Sequence, residues 1–257
     1  EKARALLEGK VPKKSAGVTE PFDFSNPDIV KRDFLQVPGT GKVISRYEFP
    51  GCNNLDWEGT HFKLNEKGLY MPAPSLFVSH FVNVVDCYEN NRPLFDVAGN
   101  PISDEEREDL YKHLTTNHIA AYSSEGGNVS GAWTWLDAKF EDISGRMTIH
   151  TNHRVIDGKL KPGISEPLED CLRKDRVLVN LKFNRQGFPI EHSASNKYVQ
   201  GQNIRFWQPV NGLVARFNAS SDRAVLYCNR DPDYVNSSLG VFAVLDGEAR
   251  GQGGKGK

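Results

Sequence analysis

Net charge, sulfur and long apolar runs are all scarce in this 257-residue chain, and each shortage removes a class of explanation. The 32 Lys and Arg against 33 Asp and Glu leave a formal charge of −1, so no whole-chain field would draw the protein to nucleic acid or to an acidic membrane. The longest apolar-looking stretch, Leu76 to Tyr88, is interrupted by His80, Asn83 and Asp86 and falls short of the ~20 residues that span a bilayer. It reads as a buried helix, and no membrane insertion is expected. No signal peptide is visible, and the chain opens on Glu1 rather than Met. The four cysteines, Cys52, Cys87, Cys171 and Cys228, form neither a CxxC pair nor a zinc-ligand spacing. Two disulfides could form in an oxidising compartment; buried free thiols are the preferred reading.

A more local shortage carries more information. From Pro209 to Gly247 there is no Lys, Glu, Gln, Trp or Met, although those five types supply 45 of the 257 residues and about seven would fall in the window by proportion. A buried apolar sheet does not account for this, because the window holds Asn211, Asn218, Asp222, Arg223, Asn229, Arg230, Asp231, Asp233 and Asn236. A codon-level rule does. If Asn codons of the AAY type are randomised at their adenines, the products are confined to NNY codons, which never encode those five residues.

The rest of the chain reads as one α+β domain. Residues 1–40, with Pro12, Pro21, Pro27 and Pro38, suit an N-terminal extension, and the Gly- and Lys-rich residues 247–257 a flexible tail, leaving 41–246 as the folded body. Strands are expected over Lys42–Phe49 and Thr60–Leu64. A helix capped by Ser75 follows, with Phe77, Phe81, Val84, Val85 and Tyr88 on one face. A second opens at Ser103, where Glu106 completes a capping box. Further strands run through Ala132–Phe140, Met147–Ile149 and Arg176–Phe183, and Glu166-Pro167 can open a short helix. Beyond Ile204 the pattern has period two: if Ala224, Leu226 and Cys228 point inward, Val225, Tyr227 and Asn229 point outward.

With these elements in hand, the run Val214-Ala215-Arg216-Phe217-Asn218-Ala219-Ser220-Ser221-Asp222-Arg223-Ala224, with Leu226, Cys228, Pro232 and Asn236 to Ala243, resembles the variable region of diversity-generating retroelement target proteins. Upstream, Met71 to Ser75, Pro93 to Asp96, Gly99 to Ser103, Trp135 to Ala138, Glu166 to Leu172 and Asn184 to Gly187 are similar to the archaeal and archaeal-virus branch of that family. The resemblance implies a C-type-lectin-like fold, with two main helices flanking a small, mostly antiparallel sheet joined by long loops. It implies that a reverse transcriptase rewrites selected codons within a variable region at about 204–245. The implied ligand-binding, diversified positions are Leu213, Asn218, Ser220, Val225, Tyr227, Asn229, Asp231, Tyr234, Val235, Asn236 and Ser238. The implied scaffold is Trp207, Phe217, Ala224, Leu226, Cys228, Gly240 and Phe242. The implied role is non-enzymatic recognition of a macromolecular partner, a protein or a surface glycan, at a virion or cell surface, with no cofactor and no nucleic acid.

Two other functions were weighed. A calcium-dependent glycan-binding lectin is disfavoured because Gln208-Pro209-Val210 and Glu166-Pro167-Leu168 lack the Glu-Pro-Asn or Gln-Pro-Asp triplet of such lectins. An enzyme related to the formylglycine-generating enzymes would need a close reactive cysteine pair, which neither Cys171 nor Cys228 marks. His150 and His153 would face opposite sides of a strand with no third metal ligand apparent. Trp133 and Trp135 share one strand face and read as core packing.

Overall fold

The computed structural model describes residues 33–118 and 131–246. Its elements in chain order are β1 (Phe34–Val37), β2 (Lys42–Ser45), α1 (Trp57–Asn65), α2 (Pro74–Glu89), α3 (Asp104–Thr115), β3 (Trp133–Ile143), β4 (Arg146–Thr151), β5 (Arg154–Ile156), β6 (Lys159–Lys161), β7 (Ile164–Pro167), β8 (Val177–Asn180), β9 (Asn203–Trp207), β10 (Val214–Ser220), β11 (Arg223–Arg230) and β12 (Val244–Asp246). Seven strands form the main sheet in the order β7-β4-β3-β10-β11-β9-β8, beside a three-stranded sheet β1-β2-β12 and the hairpin β5-β6. Every neighbouring pair in the main sheet is antiparallel except β11 with β9.

The helices form where capping and apolar spacing agree. In α3 the Ser103 side chain accepts the Glu106 N–H while the Glu106 side chain accepts the Ser103 N–H, so two end donors are satisfied reciprocally. Pro74 opens α2, where its missing N–H costs nothing, and the cap residue is Ala73 rather than the expected Ser75. Thr60–Leu64, expected as a strand, lies in α1. There the Asp56 carboxylate accepts the Gly59 N–H at 2.6 Å, and Trp57, Thr60, His61 and Leu64 form a buried helical stripe. Two apolar residues at spacing two were too short a pattern to outweigh that cap.

Helices α2 and α3 stack through Tyr88 and Tyr111, whose ring centroids are 3.9 Å apart. Both pack on the same side of the main sheet, where Phe77, Phe81, Val84, Leu110 and Leu114 meet Leu136, Phe140, Phe206, Phe217 and Leu226 in one core. The expected α+β class holds, while among the described residues three helices accompany a large curled sheet in place of two flanking a small one. Among the described residues the opposite side is roofed only toward β3, by a second apolar cluster of Trp57, Leu64, Trp135, Val214, Leu239, Val241 and Ala243. Gly240 fixes that roof. Its N–H donates to the Trp133 carbonyl at 2.9 Å and its carbonyl accepts the Trp135 N–H at 3.1 Å. A Cβ added there would stand 3.0 Å from the Glu48 Cβ.

Three further expectations are corrected. Residues 34–37, assigned to the extension, form β1, pair with β2 and bury Phe34 and Leu35; the remainder of that segment up to residue 32, and the tail 247–257, lie outside the described residues. Glu166-Pro167 ends β7 and opens no helix, because Thr148 and Ile149 of β4 hold both residues in the sheet. The cysteines are free as expected, but Cys171 is only half-buried.

Candidate functional site

Strands β10 and β11 sort their side chains cleanly on the helix side. Phe217, Ala219, Ala224, Leu226 and Cys228 are all buried in the main core, as the period-two reading requires. The other side presents two rows set by register. Arg216 stands opposite Tyr227, which stands opposite Trp207; Asn218 stands opposite Val225, which stands opposite Arg205. Neighbours in such rows lie about 5 Å apart and touch. Among the described residues no second layer covers this part of the sheet, and its long side chains pack on one another.

The packing is largely guanidinium on ring. The Arg216 guanidinium carbon lies 5.0 Å from the Trp133 ring centroid, 5.2 Å from Tyr227 and 5.4 Å from Tyr234. The register shift between Val214 and Arg216 puts Arg230 in line with Tyr227, 3.8 Å from its centroid, with Trp207 at 5.9 Å. Arg176, at the head of β8, covers Trp207 from 4.9 Å. Arg176, Arg205, Trp207, Arg223 and Tyr227 line a cleft of about 280 Å3 beside these stacks. Arg216 is only 6% exposed, and burial, followed by the nearby Arg230 charge, pushes its pKa down to about 10.

The predicted diversified residues distribute unevenly. Asn218, Tyr227 and Asn229 are half-buried on or beside this face, Ser220 lies at the hairpin tip and Leu213 precedes β10. Asp231, Tyr234 (39% exposed) and Val235 (52% exposed) are the open members of the following loop, with Asn236 half-buried. Val225 is a correction: it is 0% exposed, a short β-branched side chain hemmed in by Arg205 and Asn218 across the sheet and by Arg223 and Tyr227 along its own strand. Ser238, 8% exposed, is corrected likewise, because its segment is drawn under the roof by the Leu239 N–H to Asn236 carbonyl bond of 3.0 Å. Trp207, assigned to the scaffold, sits half-buried on the open face. Phe217, Ala224, Leu226, Cys228, Gly240 and Phe242 are buried as the scaffold reading expects.

The loop after β11 is stapled from beneath. The Trp57 N–H donates to the Pro232 carbonyl at 2.9 Å and the Asn54 N–H to the Asn236 carbonyl at 3.2 Å. Two predicted variable side chains also hold its shape: Asp231 accepts the Asp233 N–H at 3.0 Å and Asn236 the Ser238 N–H at 2.9 Å. No family model, curated protein or solved structure matches this chain.

Two groups of residues escaped the sequence reading. The first is the arginine set, Arg176, Arg205, Arg216 and Arg230; alternation alone would have put Arg216 beside Asn218, but the bulge that redirects Arg230 has no signature. The second corrects the expectation that His153 lacks companions. Its Nδ1 lies 2.5 Å from Asp137 Oδ1, its backbone N–H donates to Asp137 Oδ2 at 2.9 Å, and His61 Nε2 stands 3.6 Å from Oδ1. All three residues are buried, and Trp57 packs edge-on to both rings. Burial lowers the His61 pKa to about 4, so that ring is neutral near pH 7. Two imidazoles and a carboxylate are ligand types that suit a divalent metal. The Asp137 hydrogen bonds already account for His153 as part of a buried polar network.

Proposed function

We propose that this chain is a non-enzymatic binding protein of the diversity-generating retroelement kind, built on a C-type-lectin-like fold. On this reading its recognition surface consists of the open face of β9–β11 and the loop 231–236, presented at a virion or cell surface to a macromolecular partner. One observation carries it. Along β10 and β11 the inward residues are fully buried while Asn218, Ser220, Tyr227 and Asn229 remain partly in water, so these four can be exchanged over a floor that does not change.

Grouped Tyr, Asn, Ser and Arg side chains support recognition chemistry rather than a resting surface, since Tyr contributes contact area at low entropy cost and Asn and Ser adapt their hydrogen bonds. The burial of Val225 and Ser238 narrows the exchangeable set to Leu213, Asn218, Ser220, Tyr227, Asn229, Asp231, Tyr234, Val235 and Asn236. The decisive test is the flanking DNA together with population sequencing of the gene's 3′ segment. The proposal expects a reverse-transcriptase gene, a near-copy of that segment, and differences confined to adenines of the copy. A locus with neither gene nor copy would overturn it.

A further inference from the structure

The basic patch is anomalous for its setting. The chain as a whole is almost neutral, yet Arg176, Arg205, Arg216 and Arg230 converge around Tyr227 and Trp207 on one sheet face. Among the described residues no carboxylate pairs with any of the four at ion-pair distance. Of the nearby acidic groups, Asp222 lies 3.7 Å from Arg223, Asp231 holds the Asp233 N–H, and Asp175 accepts the Gln208 N–H at 3.0 Å. The Nε atoms of Arg205, Arg216 and Arg230 are buried with no hydrogen-bond partner. Buried charges are ordinarily paired, because the interior does not replace the hydration they lose. Ring faces recover part of that loss but offer no acceptor to an N–H in the guanidinium plane.

We infer that this face binds a carboxylate-rich segment of a partner protein, with Arg176, Arg205, Arg216 and Arg230 as the carboxylate receptors and Tyr227 and Trp207 as the rings that hold them in place. The inference rests on the proposed recognition role of the same face and gives its ligand a chemistry. Guanidinium forks match carboxylates in two parallel hydrogen bonds. The rings argue against the other polyanions. Arg216 and Arg230 lie against Tyr227, and Arg176 and Arg230 against Trp207, so the aromatic faces that would stack nucleobases or sugar rings are taken. The cleft between Arg176, Arg205 and Trp207, about 280 Å3, has room for such a side chain.

The test uses the full chain and three fluorescein-labelled probes at 50 and 200 mM salt: a hexaglutamate peptide, a heparin hexasaccharide and a thymidine decamer, with a hexaserine peptide as control. Fluorescence anisotropy should show hexaglutamate bound at least tenfold more tightly than hexaserine and than either other polyanion, weakening as salt rises. Arg230→Gln and Arg205→Gln, both at partly exposed positions, should each weaken hexaglutamate binding about tenfold while leaving the thermal midpoint within a few degrees. Arg216→Gln should weaken it further, and Arg223→Gln, whose charge has Asp222 beside it, least. Equal binding of hexaglutamate and hexaserine, or full binding by both Arg205→Gln and Arg230→Gln, overturns the inference. Preferential binding of heparin or thymidine overturns it in favour of that polymer. None of these outcomes touches the retroelement reading, which stands or falls on the DNA around the gene.

Discussion

On the helix side of β10 and β11, Phe217, Ala219, Ala224, Leu226 and Cys228 are sealed against Phe77, Phe81 and Leu110. One residue away along each strand, Arg216, Asn218 and Tyr227 face the other side, where Arg216 lies over Trp133 and Tyr234, and Arg230 over Tyr227. The inner face gets its order from interdigitated apolar volume, where any missing atom leaves a void. The outer face is held by cation–π stacks and cross-strand neighbours, each worth about 0.5–1 kcal/mol. The fold can therefore lose one outer contact at a time, whereas the inner face has no such slack. Phe217→Ala tests this most harshly. Its ring lies 4.9 Å from Phe77 and 5.5 Å from Phe81, and the truncation should cost about 3–5 kcal/mol in chemical denaturation. A loss below 1 kcal/mol would mean the inner face is as tolerant as the outer.

The inner side should also respond to acid. His80 in α2 has both ring nitrogens buried without a partner, and burial lowers its pKa to about 4. Its folded pKa is depressed, so its contribution is fully present above the unfolded value near 6.5 and is lost as pH falls toward 4, because only the unfolded chain takes up the proton. The loss by pH 4 is on the order of 3 kcal/mol. His61 behaves in the same sense. The Glu48–His113 pair runs the other way. Burial opposes both charges, but His113 and the Trp133 N–H lower the Glu48 pKa, and Glu48 raises that of His113. The His113 contribution is present below about pH 6.5 and is lost as pH rises through its raised folded value. Denaturation from pH 7 to 4 should be shallower for His80→Leu than for the parent; identical slopes would show that His80 is not a buried neutral ring.

Much of the inner face was legible in the sequence because it depends on local periodicity. Phe77, Phe81, Val84 and Val85 repeat at helical spacing, Ser103 and Glu106 announce α3, and Ala224, Leu226 and Cys228 alternate. The outer face was legible only in part. Period two assigns a direction to Val225 but not the height of its neighbours, and Arg205, which overshadows it, comes from a parallel strand some twenty residues earlier. Arg230 depends on a bulge, and the meeting of His61, Asp137 and His153 on long-range packing; neither leaves a mark in local spacing. The same gap explains Thr60–Leu64, where a side-chain cap at Asp56 outweighed a short alternating pattern.

Val225 is where the two faces blur. It points outward yet behaves by burial as an inner residue. Val225→Ser removes apolar volume and buries a hydroxyl, and should cost about 2 kcal/mol. A neutral melt would return Val225 to the exchangeable set. Asn236 blurs the line in the other direction, since its side chain caps the Ser238 N–H; Asn236→Ala should cost about 1 kcal/mol despite its place on the loop proposed for recognition.

The smallest effect is the most informative about the outer face as a surface for exchange. Val235 is 52% exposed and its side chain makes no hydrogen bond, so Val235→Ser deletes little packing. Tyr234 is 39% exposed and its hydroxyl accepts the Asn236 amide at 3.3 Å, with its ring 5.4 Å from Arg216. Val235→Ser and Tyr234→Ser should each move stability by no more than about 0.5 kcal/mol, the usual range for surface sites. The double variant should be near the sum of the two, because the loop's backbone is pinned through Pro232 and Asn236 carbonyls that neither substitution touches. If the pair instead costs more than 2 kcal/mol by denaturation, the loop's conformation depends on its outward side chains, and the proposed exchange of those side chains would refold the loop each time.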